Sequence, residues 1–418
     1  MKVLVIGGGG REHAIAHKAS SSQAVSKILA IPGNGGISNL AECFPLDVNN
    51  IPLLVSFAQE NRVDLTIVGP ENPLAKGIVD AFNASGLSCF GPVKKAACLE
   101  ASKIFAKEFM TRNGVRTASF SIADSFQEAL FQLNKRAFPV VIKYDGLAAG
   151  KGVRLVSNRT EAVSFLEEIF ERNVFSSDSP RVLIEQALVG QEVSFLIVTD
   201  TVSYQPLAAA RDYKRVFDGN QGPNTGGMGA YCPSTSLDQG TLSIINQDIV
   251  KKTLNGLAKE GIEYRGVLYF GLMITREGIY VLEYNCRFGD PETQVILPLL
   301  ENDIIEVFQA TISGSLQNIT LKWKPKCSVC VILASSGYPG AYQTGYRITG
   351  LEQAKDVLVY HSGTRKIDQE TLVTAGGRVL GVVGVDNDFK SAREKAYLAA
   401  EKIEFEGKFY RKDIASEV

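Results

Sequence analysis

Three polar side chains that could bind a phosphorylated ligand follow one another at alternate positions of a predicted strand. Residues 281–294, VLEYNCRFGDPETQ, begin as an apolar run and carry Glu283, Asn285 and Arg287. Residues i, i+2 and i+4 of a strand share one face, so these side chains are expected to project together. Carboxylate and amide oxygens suit Mg²⁺, and phosphates and water complete its coordination. Arg287 would then stabilise the charge of a phosphoryl group in transfer.

The alternative for this strand is an internal salt bridge between Glu283 and Arg287. Such a pair would cost desolvation for little gain, so the metal interpretation is favoured. The turn after the strand presents Asp290 and Glu292, which could accept hydrogen bonds from an amine or from sugar hydroxyls.

A glycine-rich loop joins two further predicted strands within residues 138–156, FPVVIKYDGLAAGKGVRLV. The loop superficially resembles a Walker motif, but its spacing is one residue short and Gly152 replaces the Ser or Thr that would hold magnesium. A loop of this kind can instead cover a triphosphate with its N–H groups while Lys143 neutralises charge. An ordinary hairpin is the alternative, and it would hardly need Gly146, Gly150 and Gly152.

The next strand, in RVLIEQALVGQEVSF at residues 181–195, suggests a place for a nucleoside. Residues 185–188 are expected to leave the strand, so that the backbone of Glu185, Gln186 and Leu188 could contact an adenine edge. Glu192 could then accept the ribose hydroxyls.

Four glycines end the first predicted strand, in VLVIGGGGREHA at residues 3–14, just before a helix. Free N–H groups and the helix dipole favour an anion there. A dinucleotide fingerprint would require glycine where Glu12 stands and an acid after the second strand, which KILAIPGN lacks. A phosphorylated sugar needs only the phosphate contact, and GPENP at residues 69–73 could reach its hydroxyls. His13 and His17 are one helical turn apart, and without a third ligand such a pair is typical of a structural role.

These segments lie in a chain that alternates apolar runs with helical stretches over its first hundred residues. The alternation predicts a doubly wound parallel sheet. A small α+β lobe at 117–190, longer strands interrupted by a Gly-rich polar loop at 211–233, and a last β-rich segment follow. We therefore predict a mixed α/β and α+β multidomain protein.

Composition excludes several classes of partner. The 418 residues contain 44 Lys and Arg against 45 Asp and Glu, so no basic field attracts nucleic acid. The chain contains no uninterrupted run of eighteen apolar residues, so no membrane span is predicted. Residues 1–6 lack the basic start of a signal peptide. The 7 cysteines are expected to be reduced, which fits a cytoplasmic protein.

Taken in order, six motifs resemble one family. GGGGREHA, VGPE, KYDGLAAGKGV, GPNTGGMGAY (222–231), RFGDPETQ (287–294) and TAGGRVLGVVG (374–384) are similar to those of the phosphoribosylamine–glycine ligase family in the ATP-grasp superfamily. The resemblance covers essentially the whole chain. It implies a ligase that joins glycine to 5-phosphoribosylamine through glycyl phosphate, with ATP and Mg²⁺ or Mn²⁺ as cofactors. We also expect a monomer with no nucleic-acid or membrane partner.

The resemblance also implies a domain order. We expect an N-terminal α/β substrate domain at 1–101, a linker helix and ATP-grasp lobe at 102–190, a central ATP-grasp domain with the metal and substrate site at 191–325, and a C-terminal domain at 326–418. YFGLMI at 269–274 lacks the second metal carboxylate that many ATP-grasp enzymes carry.

Site residues carry over from the motifs. Lys103 and Lys143 match lysines that bind ATP phosphates, and Asp212 and Lys214 precede a loop that would hold glycine and shield the acyl phosphate. The complete set of expected residues comprises, for catalysis, Arg287, Asp290, Glu292, Asp212 and Lys214; for the metal, Glu283 and Asn285; for ATP, Lys103, Lys143, Gly146, Gly150, Gly152, Glu185, Gln186, Leu188 and Glu192; and for substrates, Gly8, Gly9, Gly10, Arg11, Glu12, His13, Gly69, Pro70, Glu71, Asn224, Thr225, Gly226, Gly227 and Met228.

Two other functions fit the same residues less well. Another ATP-grasp carboxylate–amine ligase would share the nucleotide site and differ in its substrates. A regulator that binds a nucleotide without turnover could dispense with charges for phosphoryl transfer, so Glu283, Asn285, Arg287 and Lys143 argue against it.

Overall fold

The computed structural model describes residues 1–148 and 150–418. Ala149, inside the predicted phosphate-binding loop, lies outside the described residues.

The N-terminal domain is built on a parallel sheet with the strand order β3-β2-β1-β4-β5. Its strands are apolar runs because helices cover both faces of such a sheet; residues 3–6 of the first strand are wholly buried. The predicted doubly wound sheet is confirmed. Its elements are β1 Lys2–Gly7, α1 Gly10–Ser20, β2 Lys27–Pro32, β3 Glu42–Cys43, α2 Ile51–Glu60, β4 Leu65–Val68, α3 Glu71–Lys76, α4 Ile78–Ala84, β5 Cys89–Phe90 and α5 Lys94–Ala101.

The small lobe expected at 102–190 is an antiparallel sheet with two covering helices. Its strand order is β6-β9-β7-β8. Ser125 and Asn158 cap the two helices by accepting hydrogen bonds from the N–H groups of Glu128 and Glu161. The elements are α6 Lys103–Arg112, β6 Phe120–Ala123, α7 Phe126–Leu133, β7 Val140–Tyr144, β8 Val153–Val156, α8 Arg159–Phe170 and β9 Val182–Gln186.

The central domain contains a second antiparallel sheet, in the order β11-β10-β16-β17. The prediction of a loop over residues 211–233 is wrong in part, because four short strands occupy most of this segment. The elements are β10 Gln191–Thr199, β11 Tyr204–Pro206, β12 Arg211–Asp212, β13 Arg215–Phe217, β14 Gln221–Asn224, β15 Gly229–Cys232, α9 Gln239–Ile244, α10 Lys251–Lys259, β16 Gly266–Thr275, β17 Gly278–Asn285, α11 Glu292–Ile296 and α12 Ile304–Ser313.

The C-terminal sheet takes two of these short strands. Its order is β12-β15-β18-β22-β19, and β23 pairs with β18. The sheet therefore crosses the expected boundary at 325/326 and brings residues 211–232 against the last domain. The C-terminal elements are β18 Cys327–Ser335, β19 Leu358–His361, β20 Thr364–Lys366, β21 Leu372–Thr374, β22 Arg378–Asp386, α13 Phe389–Lys402 and β23 Lys408–Phe409.

Among the described residues, no helix combines the length and apolar character that are needed to cross a bilayer.

Candidate active site

Three adjoining cavities form one continuous cleft between the domains. The central cavity, of about 500 Å³, is lined by Glu283, Asn285 and Arg287. The lobe cavity, of about 510 Å³, shares Lys143, Glu185 and Glu283 with it. The sugar-side cavity, of about 480 Å³, shares Asp290, Tyr338 and Arg378 with the central one. A ligand in the middle of the cleft would thus be flanked by one site on each side.

Glu283 and Asn285 face the central cavity from the end of β17. The strand pairing with β16 is irregular here: Glu283 lies opposite Gly271, whereas Val281 lies opposite Leu272. Lys214 approaches the Glu283 carboxylate to 3.8 Å. Burial raises the pKa of Glu283, but Lys214, Lys143 and Lys103 together hold it below its usual value, so the carboxylate is ionised.

This donor set suits a hard divalent cation with few protein ligands. Glu283 and Asn285 supply two oxygens, and Gly271 on the neighbouring strand contributes no side chain. Among the described residues no group of three or more His, Cys, Asp or Glu side chains could hold a metal. Phosphate oxygens and water would have to complete the shell, as is usual for Mg²⁺ at nucleotide sites.

The two predicted phosphate lysines converge on this cavity from different elements. Lys103, the first residue of α6, donates to the Gly146 carbonyl at 2.8 Å. Lys143, on β7, donates to the Leu282 carbonyl at 3.0 Å and lies 3.1 Å from the Glu185 carboxylate. Their positions place two ammonium groups beside Glu283, as a polyphosphate site requires.

The glycine loop borders the same cavity. Gly150 has φ +79° and Gly152 lines the cavity wall. A Cβ placed on Gly150 would meet only the Thr225 carbonyl oxygen, at 3.7 Å. The loop is therefore open on the side where a triphosphate would lie. Gly146, with φ +154°, lies against the Tyr144 ring instead.

The nucleoside segment differs from its prediction in one respect. β9 continues through Gln186, so residues 185 and 186 do not leave the strand. The Glu185 side chain turns inward and is 2% exposed, whereas Leu188 lines the lobe cavity. Glu192 lines that cavity too and pairs with Lys214 at 3.2 Å.

Arg287 lies beyond the end of β17 and does not form the salt bridge with Glu283 that was the alternative considered from sequence. It pairs with Glu100 at 2.8 Å and with Glu71 at 3.4 Å, rather than with Glu283. Glu71 in turn lies 4.0 Å from Arg11. A chain of alternating charges thus connects the N-terminal domain with the cavity wall.

Four acidic and basic groups predicted for catalysis line the central cavity: Asp212, Lys214, Asp290 and Glu292. Burial, with Glu292, Glu192 and Glu283 nearby, raises the pKa of Asp212 to about 7 although Lys214 opposes the shift. Burial alone would lower the pKa of Lys214, but Glu192 and Asp212 raise it well above its usual value. Asp290 pairs with Arg378 at 3.2 Å, and Glu292 accepts a hydrogen bond from Ser194 at 2.9 Å.

The glycines at 7–10 are packed more tightly than a free anion cradle would be. The Gly9 N–H donates to Glu12 at 2.7 Å, so the carboxylate one turn ahead occupies part of the expected anion position. Gly8 and Gly9 line the sugar-side cavity, whereas Gly10 packs against Gln294 and Ser362. The carboxyl group of Glu12 also fills the space beside Gly69, and Pro70 precedes α3 as its N-cap.

His13 is placed away from the cleft. It is 7% exposed, and its Nδ1 accepts a hydrogen bond of 2.8 Å from the His361 N–H. The side chain joins α1 to β19 and does not line any of the three cavities described above. The expected substrate contact is replaced by an interdomain one.

The loop expected to hold glycine has one part that lines the cleft and one part that is packed against protein. Thr225 and Gly226 line the central cavity, and Asn224 lines the lobe cavity. Met228 is completely buried, and Gly227 packs against Pro291. Only the first half of the segment is thus available to a ligand.

Among the residues that line the cleft but were not predicted from sequence, three have polar side chains that bear on the site. Arg378 donates to the Asp290 carbonyl at 2.8 Å and Tyr338 accepts from the Gly226 N–H at 2.9 Å; both belong to the C-terminal segment. The arginine stands in the TAGGRVLGVVG motif, where two glycines before a polar residue could have indicated it. Lys107, one helical turn after Lys103, is the third. A lysine among the apolar residues on the buried side of α6 is unusual, and this could have indicated Lys107 from the sequence.

Comparison with known proteins covers the whole chain. Models of phosphoribosylglycinamide synthetase domains match at residues 1–100 for the N domain, 101–293 for the ATP-grasp (A) domain and 328–417 for the C domain. The phosphoribosylamine–glycine ligase of Caldanaerobacter subterraneus subsp. tengcongensis is 51% identical over 416 residues, covering 100% of both chains. The trifunctional purine biosynthetic protein adenosine-3 of Gallus gallus is 45% identical over 99% of this chain and 42% of its own.

Solved structures show the same relation. The crystal structure of phosphoribosylamine–glycine ligase from Thermotoga maritima has a TM-score of 0.86 and 36% identity, covering 99% of this chain and 100% of that one. Biotin carboxylase from Campylobacter jejuni, at 16% identity, has a TM-score of 0.71 and covers 97% of this chain and 92% of its own. The second likeness is one of fold alone.

Proposed function

The chain belongs to the phosphoribosylglycinamide synthetase family, and we propose that it joins glycine to 5-phosphoribosylamine with ATP, giving glycinamide ribonucleotide, ADP and phosphate. The observation that carries the proposal is the cleft of three adjoining cavities. One end is lined by the ATP-grasp lobe, the other by the glycine loop of the N-terminal domain, and the charged residues stand between them.

The reaction needs activation because a carboxylate has no adequate leaving group. A glycine carboxylate oxygen attacks the γ-phosphorus of ATP, the bond to the β,γ-bridging oxygen breaks, and ADP leaves. The amine nitrogen of phosphoribosylamine then attacks the acyl carbon of glycyl phosphate, and inorganic phosphate departs with the bonding electrons. The amine proton goes to a base or to solvent, so atoms and charge balance.

Positioning and charge supply most of the catalysis in such transfers. Lys103 and Lys143 would bind the phosphates, and Thr225 and Gly226, which line the central cavity, would border the space between nucleotide and amine. Arg287 holds its guanidinium beside Asn285, where it can meet charge that develops on the transferred group. Asp212, with a pKa of about 7, is suited to accept the amine proton near neutral pH.

Family members use ATP and a divalent metal, and for this chain we propose Mg²⁺ or Mn²⁺. Glu283 and Asn285 would hold the ion, which when bound would neutralise charge on the phosphates. The monomeric state and the cytoplasmic location stay predictions.

The proposal is tested by the release of ADP with glycine alone, with freshly made phosphoribosylamine alone, and with both. Substantial turnover only with both substrates supports the proposed ligation. Turnover with another acid or amine would instead identify a different ligase of the same fold. Nucleotide binding without turnover under every condition would identify a regulator.

A further inference from the structure

Lys107 is a buried lysine beside the nucleotide site to which the proposed chemistry assigns no task. It lies on α6, is 1% exposed, and its Nζ is 3.0 Å from Oε2 of Glu185. The same ammonium donates to Thr117 Oγ1 at 2.6 Å. Thr117 donates onward to the Val281 carbonyl at 2.7 Å, so Lys107 is tied to the strand that carries Glu283.

Glu185 is shared unequally by two lysines. Lys143 lies 3.1 Å from its Oε1, yet among the described residues no donor is aligned to give that oxygen a hydrogen bond. Lys143 directs its hydrogen bond to the Leu282 carbonyl. Burial and the neighbouring Lys143 ammonium lower the pKa of Lys107 to about 8, as expected for two cations that crowd one carboxylate.

We propose that Lys107 is a positioning residue that holds the charge of Glu185 compensated, so that Lys143 can turn from Glu185 to the nucleotide phosphates. The inference rests on the proposed function only in requiring that ATP binds in this cleft. Lys107 itself stays on Glu185 and Thr117 when the nucleotide enters.

The physical reason is the cost of an uncompensated buried carboxylate. Glu185 is 2% exposed, so little solvent is available to compensate its charge when a cation departs. With Lys107 present, Glu185 keeps one counter-ion at 3.0 Å after Lys143 moves. Without Lys107, Lys143 would be the one cation of the described residues within 4 Å of Glu185, and it would be held there in competition with the phosphates.

The test is a double-mutant cycle between Lys107 and Glu185, read as affinity for the non-hydrolysable analogue adenylyl imidodiphosphate with Mg²⁺ by calorimetry. Lys107→Met is expected to weaken binding about tenfold, equivalent to about 1.4 kcal/mol. In a Glu185→Gln background the same substitution should change affinity by less than about twofold, because no carboxylate remains to compete for Lys143. Lys390→Met, at an exposed position on α13, is the matched control and should bind as the unmodified protein does.

Two outcomes would overturn the inference. Unchanged affinity in Lys107→Met would show that Glu185 needs no second cation. An equal loss in both backgrounds would show that Lys107 contacts the nucleotide or acts only through packing. If Lys107→Met does not fold, as thermal unfolding would reveal, Lys107→Gln takes its place in both backgrounds of the cycle.

The same measurements separate this inference from the proposed function. Calorimetry with the analogue does not depend on which acid or amine is ligated. A protein that binds the analogue but does not join glycine to phosphoribosylamine would refute the function and leave the Lys107 test valid.

Discussion

The two glycine-rich loops of the cleft look alike in sequence but differ in how closely protein atoms surround their glycines. At residues 7–10 the glycines permit close packing: a Cβ on Gly8 would lie 2.4 Å from the Gly33 carbonyl oxygen. In the second loop the surroundings of Gly150 are open, since a Cβ there would meet nothing closer than 3.7 Å. Gly8 therefore permits close contact with neighbouring protein, whereas Gly150 borders space that a ligand could occupy.

The carboxylates near the two loops differ in the same respect, since one is already bound by protein groups and the other faces a cavity. Near the first loop the Glu12 carboxylate is already occupied by the Gly9 N–H and by Arg11, at 2.7 Å each. On the nucleotide side, Glu283 has its nearest cation at 3.8 Å and faces the central cavity. Substitutions on the nucleotide side should therefore affect turnover, and substitutions near the first loop should affect stability.

The largest expected effect is that of Glu283→Ala. Loss of the carboxylate that would hold the metal should lower kcat by at least about a hundredfold. The melting temperature should stay nearly unchanged, because the side chain faces a cavity. Steady-state ADP release and thermal unfolding measure the two quantities, and Glu394→Ala, exposed on α13, is the control. Near-normal turnover in the Glu283 variant would refute the metal assignment.

The next largest effect is expected from Gly8→Ala. The added methyl group meets a backbone carbonyl that cannot rotate away, so we expect about 1 to 3 kcal/mol of destabilisation. Chemical denaturation measures the change. Gly240→Ala is the matched control, because the nearest atom to a Cβ there would be 3.5 Å away. Gly86→Ala is unsuitable, because φ is +72° at that position. Equal stability of the two variants would show that the first loop is not closely packed.

A smaller effect is expected from Gly150→Ala. Alanine at φ +79° is strained by about 1 to 2 kcal/mol, but no neighbour obstructs the methyl group. We expect the loop to shift locally, raising KM for ATP several-fold while KM for glycine and the melting temperature change little. A fall in global stability as large as that of Gly8→Ala would remove the distinction between the two loops.

The smallest effect concerns pH and the packed interface beyond the first loop. Burial, with His361 and His17 nearby, lowers the pKa of His13 to about 3, and burial lowers that of His361 to about 4. Both values lie below the unfolded value of about 6.5, so the unfolded chain binds more protons below that pH. Stability should therefore fall as pH falls below about 6.5, by on the order of 1 kcal/mol per histidine at pH 5.5.

The control for this prediction is His13→Asn, which keeps an acceptor for the His361 N–H without a titrating ring. Its free energy of unfolding should depend less on pH between about 6.5 and 5.5 than that of the unmodified protein. An identical pH dependence in both proteins would show that His13 does not contribute.

Much of the fold followed from local patterns. Buried strands of continuous apolar residues predicted the parallel sheet, and the polar positions 283 and 285 on an apolar strand indicated a site. The fold prediction succeeds because side-chain period and turn chemistry are properties of a few consecutive residues. The assignment of site residues remains a set of predictions for the experiments above.

Long-range contacts decided the rest. The sequence by itself determined which segments would be strands, which loops were rich in glycine and where charged side chains interrupted apolar runs. Only the tertiary structure decided that Glu12 would take the Gly9 N–H, that Arg378 would reach Asp290 from the last domain, and that Lys107 would share Glu185 with Lys143. Each of these contacts depends on how distant elements pack, and a local pattern shows that a charge is present without showing which partner compensates it.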